Sequence, residues 1–336
     1  MTMYSRAREM LLALDRLIAT SSLAMGNEEG VLLTFLFHGL VPDSKEAHPD
    51  VTDPQGITLE MFRRFLDHFQ RHSYNFVSPD AIAQGLHPSG KHILVTFDDG
   101  YFSNTKALPV LESFGVPAVL FVSTEHVLQG KAFWWDVVER KAWMRGTPRK
   151  QVQQLVEELK RFKTSEAEAQ VRAQLGPHAL RPVSDVDRPF SPSELKDFAA
   201  HPLIFLGNHT TDHAILTNYS LPEVHAQIQR AQDDLYAMTG QLPSIIAYPN
   251  GNETPAIVEA ARSAGIRLGL GVQPGRNHLP LQAGSQDAMT LKRFTLTGDC
   301  PIEGQCQASR SLFSLYRVGR SVTRKVRSGF STLQPA

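Results

Sequence analysis

The sequence predicts an α/β fold, either a barrel or a doubly wound sheet of parallel strands, with one helical insertion. Two observations carry this. Short apolar runs recur along the chain, and stretches of helical periodicity separate them. The rhythm breaks only at about 130–190, where Trp134, Trp135 and Trp143 precede a charged helical stretch.

The elements follow in order. Residues 5–20 set Leu11, Leu12, Leu14, Leu17 and Ile18 at near-helical spacing, so an amphipathic helix is expected within 1–30. Val31–Phe37 is wholly apolar apart from Thr34 and reads as a buried strand delivering His38. Thr58 can cap a helix over 58–72, with Met61, Phe62, Phe65, Leu66 and Phe69 on one face. Residues 92–97 form a second buried strand, 105–114 a helix and 117–122 a third strand. Strand, helix and strand with short links imply parallel pairing and a right-handed crossover. The insertion ends at Ser191-Pro192-Ser193-Glu194, a capping box with proline at the first helical position. Strands are then expected at 203–206, 245–248, 266–270 and 290–296, and helices at 221–239 and 254–264. The barrel or sheet should span 31–300, leaving 301–336 as a tail. Within it, 310–330 mixes Leu312, Phe313 and Tyr316 with Arg310, Arg317, Arg320 and Arg324. That is a basic amphipathic pattern, suited either to packing on the core or to peripheral contact with an anionic membrane.

Composition narrows the function. The 34 basic and 34 acidic residues cancel, so there is no basic footprint for nucleic acid. The 2 cysteines, Cys300 and Cys306, cannot make a disulfide scaffold. Arg6, Arg8, Glu9, Asp15 and Arg16 interrupt any secretory signal, and 31–37 falls far short of the roughly 20 residues that span a bilayer. A cytoplasmic location is expected.

Three polar clusters follow predicted strands, where active sites of parallel α/β folds gather. The first is Thr96-Phe97-Asp98-Asp99-Gly100-Tyr101. Two adjacent carboxylates are costly unless a cation or proton offsets their repulsion, and Gly100 permits a sharp turn. The second holds His209 and His213. At a spacing of four both imidazoles share a face if the segment is a helical turn, which suits a common metal ion. The chain has 13 histidines, so such a pair also arises by chance. The third is Ala247-Tyr248-Pro249-Asn250-Gly251, a turn that can aim the backbone N–H after Pro249 into a pocket. Together they offer one carboxylate and two imidazoles, a ligand set that leaves a metal position open for water.

Over about residues 31–296 these motifs resemble the NodB-type polysaccharide deacetylases of carbohydrate esterase family 4. The first family motif is met by Thr96-Phe97-Asp98-Asp99-Gly100, the second by the His209/His213 segment. The resemblance implies a distorted (β/α)7 barrel. It implies removal of N-acetyl groups from an amino-sugar glycan or its precursor, in exopolysaccharide or cell-envelope biosynthesis. It makes Asp98 the general base and Asp99, His209 and His213 the ligands of a divalent ion, zinc by default with Co2+, Ni2+ or Mn2+ as substitutes. It gives the oxyanion to the Asn250 N–H, and implies Tyr101, Tyr248 and Pro249 at the substrate.

Two departures matter. The arginine that the family carries ahead of the third-motif proline is missing, with Ile246 in its stead, and Arg293 is a candidate replacement. No histidine follows the last strand, but His38 ends a strand of the same character. This resembles the permuted arrangement of poly-N-acetylglucosamine deacetylases and makes His38 the general acid. Trp134 and Trp135 either stack on sugar or anchor the insertion. The competing functions are an amidase for a small non-sugar amide, an O-acetyl esterase, and a non-catalytic glycan-binding module.

Overall fold

The computed structural model describes residues 28–41 and 55–311, together with Ser21 and Leu23. The helix expected over 5–20 lies outside these residues, as does the basic stretch 310–330 beyond Ser311. The strands are β1 (Val31–Phe37), β2 (Asn75–Phe76), β3 (Lys91–Phe97), β4 (Ala118–Val122), β5 (Ile204–Asn208), β6 (Ile245–Ala247), β7 (Leu268–Leu270), β8 (Asn277–His278) and β9 (Phe294–Thr295).

The main path runs β7-β6-β5-β4-β3-β1, parallel throughout. Beyond β1 the sheet curls toward its other edge. β9 pairs in parallel with β1, at Phe35–Phe294 and Leu36–Thr295, and Leu291 bridges in parallel to Leu270 of β7. The result is a distorted α/β barrel with 291–295 as its thinnest stave. The last strand is shorter than the expected 290–296 because a side chain takes over part of its ladder. Asn277 accepts from the Lys292 N–H and donates to the Lys292 and Leu32 carbonyls.

Period-two alternation sorts the side chains of β1 and β3. Val31, Leu33, Phe35 and Phe37, with Ile93, Val95 and Phe97, face the helix Leu59–Arg71 and join one core with its Phe62, Phe65, Leu66 and Phe69. The rings meet mostly edge-on, for example Phe35–Phe65 at 4.8 Å and Phe37–Phe62 at 5.2 Å, the arrangement that ring quadrupoles favour. Leu32 and Leu94 face inward with Val119, Phe121 and Leu270. The same alternation therefore sends Thr96 and Asp98 to the inner face.

The helix expected over 105–114 begins as a 3-10 turn, Phe102–Ala107, and becomes α-helical at Leu108–Phe114, where Pro109 fits the first turn. Elements not read from the sequence include β2, β8, the short helices Pro79–Gln84 and Thr124–Gln129, and the helix Ile302–Arg310. The last packs Ile302 and Cys306 into the core beside the helix Leu59–Arg71. Residues 302–310 thus belong to the body of the barrel rather than to a tail.

The segment 130–190 contains helices Trp134–Met144, Arg149–Leu159 and Thr164–Leu175 around a small core of Trp134, Val137, Val156 and Val171. Buried ion pairs brace it: Arg140 with Asp187, and Lys131 with Glu168 at 2.8 Å. Among the described residues no helix is long and apolar enough to cross a membrane.

Candidate active site

The C-terminal strand ends open into a cleft of about 410 Å³. His38, Asp98, Asp99, Tyr101, Trp134, Trp135, His209, His213 and Asn250 all border it.

The register of β1 and β3 accounts for the first side of the site. Phe37 pairs with Phe97, so His38 and Asp98 are the next residues on neighbouring staves. The Asp98 N–H donates to the Phe37 carbonyl at 2.8 Å. Gln55, which the sequence reading missed, holds the end of β1. Its side chain accepts from the His38 N–H and donates to the Leu36 carbonyl, both at 3.1 Å. His38 Nδ1 has no hydrogen-bond partner among the described residues.

Asp98 is clamped from inside the barrel. Arg293, fully buried, donates to its two carboxylate oxygens at 2.7 and 2.8 Å. The same guanidinium donates to Thr96 Oγ1 at 3.1 Å and to the Gly271 carbonyl at 2.7 Å. A fork-to-fork pair of this kind fixes the position and orientation of the carboxyl group. Arg293, which comes from a different stave than Pro249, is thus the cation beside Asp98. It is sealed from the cleft, so it cannot touch a substrate and acts only through Asp98.

Asp99 lies in the left-handed region (φ 76°), as does Gly100 (φ 81°). Such a conformation is costly for a non-glycine residue and is found where function requires it. It turns Asp99 away from Asp98 toward the histidines. Asp99 Oδ1 is 3.3 Å from His209 Nε2 and 3.4 Å from His213 Nε2. One ligand atom from each of the three residues falls within 4.8 Å of the others.

The histidine segment does not meet the helical-turn condition: it is an irregular turn, with Thr210 (φ 62°) and His213 (φ 56°) left-handed. Side chains build that turn. Asn208 Oδ1 accepts from the Thr210 N–H, Thr210 Oγ1 accepts from the Ala214 N–H, and Gln227 accepts from the Thr211 N–H. Ser123, also missed, links the two motifs: its N–H donates to the Asp99 carbonyl and its hydroxyl to the His209 carbonyl. Upstream, β5 and β4 approach so closely that a Cβ at Gly207 would lie 2.2 Å from the Phe121 ring.

The donor set fits a divalent ion. His209 Nδ1–H donates to the Ala247 carbonyl at 2.7 Å, leaving the Nε2 lone pair toward Asp99, a usual support for a metal-ligating imidazole. Burial drives His213 down to about 3 and keeps it neutral, against the pull of Asp99. Burial tends to raise Asp99, but the imidazoles of His209, His213 and His38 that face it outweigh this and hold the carboxyl below its ordinary range. Yet Asp99 Oδ1, though buried, lacks a well-formed hydrogen bond among the described residues. Buried carboxylate oxygens without partners are rare, and a cation is one remedy.

The remaining predicted residues divide. Asn250 borders the cleft with φ 58°. Tyr248 does not: it is fully buried, and its hydroxyl donates to the Met289 carbonyl at 3.1 Å. Pro249 is buried as well and is not among the cleft residues. These two shape the turn rather than meet a substrate. Trp134 belongs mainly to the core of the insertion. Trp135 stacks on Phe133 at 4.6 Å and touches His213 at 4.6 Å. The Tyr101 hydroxyl donates to Asp136 Oδ2 at 2.7 Å and accepts from Trp135 Nε1–H at 3.2 Å. Asp136 was not anticipated; its only sequence signal was its place after two tryptophans.

Residues 86–269, a little over half of the chain, match the polysaccharide deacetylase family model, and the chain belongs to that family. A curated relative, the polysaccharide deacetylase YxkH of Bacillus subtilis (strain 168), is 24% identical over 195 residues. The match covers 58% of this chain and 49% of YxkH, so the chain spans about half the length of that relative. Among solved structures, the Streptococcus pyogenes deacetylase PplD in complex with acetate superposes with a TM-score of 0.57 at 15% identity, covering 83% of this chain and 98% of that one. IcaB from Ammonifex degensii gives 0.54 at 21% identity, covering 83% and 97%. A de-N-acetylase from Aggregatibacter actinomycetemcomitans gives 0.53 at 14%, covering 80% and 96%. These likenesses establish the barrel fold.

Proposed function

We propose that the protein is a metal-dependent hydrolase that removes N-acetyl groups from an amino-sugar glycan or glycan precursor. One observation carries the reading. Asp99, His209 and His213 converge in the same cleft that holds His38 and the Arg293-clamped Asp98. Membership of the polysaccharide deacetylase family supports it.

Asp99, His209 and His213 would hold a divalent cation, zinc by default, which when bound acidifies water and polarises the acetamide carbonyl. Asp98 takes the proton of the attacking water. Its two hydrogen bonds from Arg293 hold it in one orientation, which a general base needs. The Asn250 N–H donates to the carbonyl oxygen as negative charge develops there. Protonated His38 gives its proton to the sugar nitrogen as the C–N bond breaks. Acetate and a free amino sugar leave. A role in exopolysaccharide or cell-envelope biosynthesis, within the cytoplasm and with membrane contact through the tail, completes the proposal.

The test is acetate release from a panel of N-acetylated sugars by zinc-loaded protein, with Asp98→Asn as control. The variant should keep its zinc and lose turnover. Full turnover by Asp98→Asn would sink the scheme.

A further inference from the structure

The insertion reaches the cleft through a directional chain of hydrogen bonds. Trp135 Nε1–H donates to the Tyr101 hydroxyl, so that hydroxyl must point its own proton elsewhere, and it donates to Asp136 Oδ2. Tyr101 sits next to the Asp98-Asp99-Gly100 turn, and its ring lies against Phe133 at 5.0 Å. The chain thus holds the Asp136 carboxyl group in one orientation beside the metal-type cluster. Asp136 is half-buried and borders the cleft. Its Oδ2 is occupied by Tyr101, while its Oδ1 has no hydrogen-bond partner among the described residues. The mechanism proposed above does not use it.

Resting on the deacetylase reading, we propose that Asp136 is the sugar-recognising residue of the cleft. Its Oδ1 hydrogen-bonds to a hydroxyl of the sugar ring whose acetamide is hydrolysed. A carboxyl group held by a fixed partner suits this role, because a hydroxyl pairs with its free oxygen without further ordering of the protein. Tyr101 is then a positioning residue that acts through Asp136. The insertion, rather than the barrel, selects for a hydroxylated sugar over a bare acetamide.

The experiment compares zinc-loaded wild type, Asp136→Ala, Asp136→Asn and Tyr101→Phe on an N-acetylglucosamine pentamer. Zinc content, kcat, KM and calorimetric binding of the pentamer are measured for each. Asp136→Ala should raise KM roughly 3- to 10-fold, the value of a hydrogen bond between neutral groups. Zinc content should hold and kcat change much less. Asp136→Asn, which keeps a planar hydrogen-bonding group of the same shape, should recover most of the loss. Tyr101→Phe should raise KM by roughly 3- to 10-fold, as for a neutral hydrogen bond, and it carries the test should Asp136→Ala not fold. Unchanged KM and unchanged pentamer affinity in these variants would overturn the inference and leave the deacetylase reading standing. If wild type binds the pentamer but releases no acetate, weaker binding by Asp136→Ala supports the recognition role while the deacetylase reading fails. No pentamer binding by wild type overturns the recognition role.

Discussion

The barrel and the insertion are held together by different forces. The barrel core around β1 and β3 is aromatic, with Phe35, Phe37, Phe62, Phe65, Phe69 and Phe97 in mutual contact. The insertion buries fewer and smaller side chains and relies on directional polar links: Arg140–Asp187, Lys131–Glu168 and the chain from Trp135 through Tyr101 to Asp136. Large rings leave little room for rearrangement, so the barrel rim is a rigid platform for chemistry. Polar links each fix one geometry between two elements, so the insertion can be aimed at the rim without sharing its core. The residues assigned to the reaction sit on the rim, and much of the rest of the cleft wall comes from the insertion.

Substitutions can break this division of labour. The largest effect is expected on the rim. Asp99→Ala should abolish zinc binding and lower acetate release by at least about 10³-fold, the scale of losing a principal electrostatic stabiliser; metal analysis beside turnover checks it. Asp98→Asn should lower kcat by about 10²- to 10⁴-fold with zinc retained, so metal content separates the two neighbouring carboxylates. Arg293→Met should destabilise the fold by about 3–5 kcal/mol in urea unfolding, because it strands a buried carboxylate. The double variant Asp98→Leu/Arg293→Met should recover much of that stability without recovering activity. The smallest effect belongs to the seam. Asn218 donates to the Lys160 and Phe162 carbonyls, both at 2.9 Å, joining the segment after the histidines to the insertion. Asn218→Ala should cost about 1–3 kcal/mol and raise KM while zinc content holds. Lost zinc in that variant would mean that seam and rim are not separable.

Much of this was legible early. Val31–Phe37 and the 91–97 strand lack polar interruption long enough to suggest anything but buried strands, and the cap at Thr58 with its phenylalanine face is met by the helix Leu59–Arg71. The two-residue strands β2 and β8 were not legible, because such short pieces are strands only by virtue of their partners. The left-handed form of the His209–His213 turn was not legible either. Spacing alone cannot show that Asn208, Thr210 and Gln227 would supply the hydrogen bonds for a left-handed turn.

The sequence by itself determined the alternation of strands and helices, the position of the insertion, and the residue types at the strand ends. These are local properties, set by hydrophobic period, capping and turn chemistry. Only the tertiary structure decided that Arg293 grips Asp98 across 195 residues of chain, that Tyr248 turns into the wall, and that Asp136 stands in the cleft. Such contacts depend on which staves become neighbours when the sheet curls, and no local pattern along the chain encodes that.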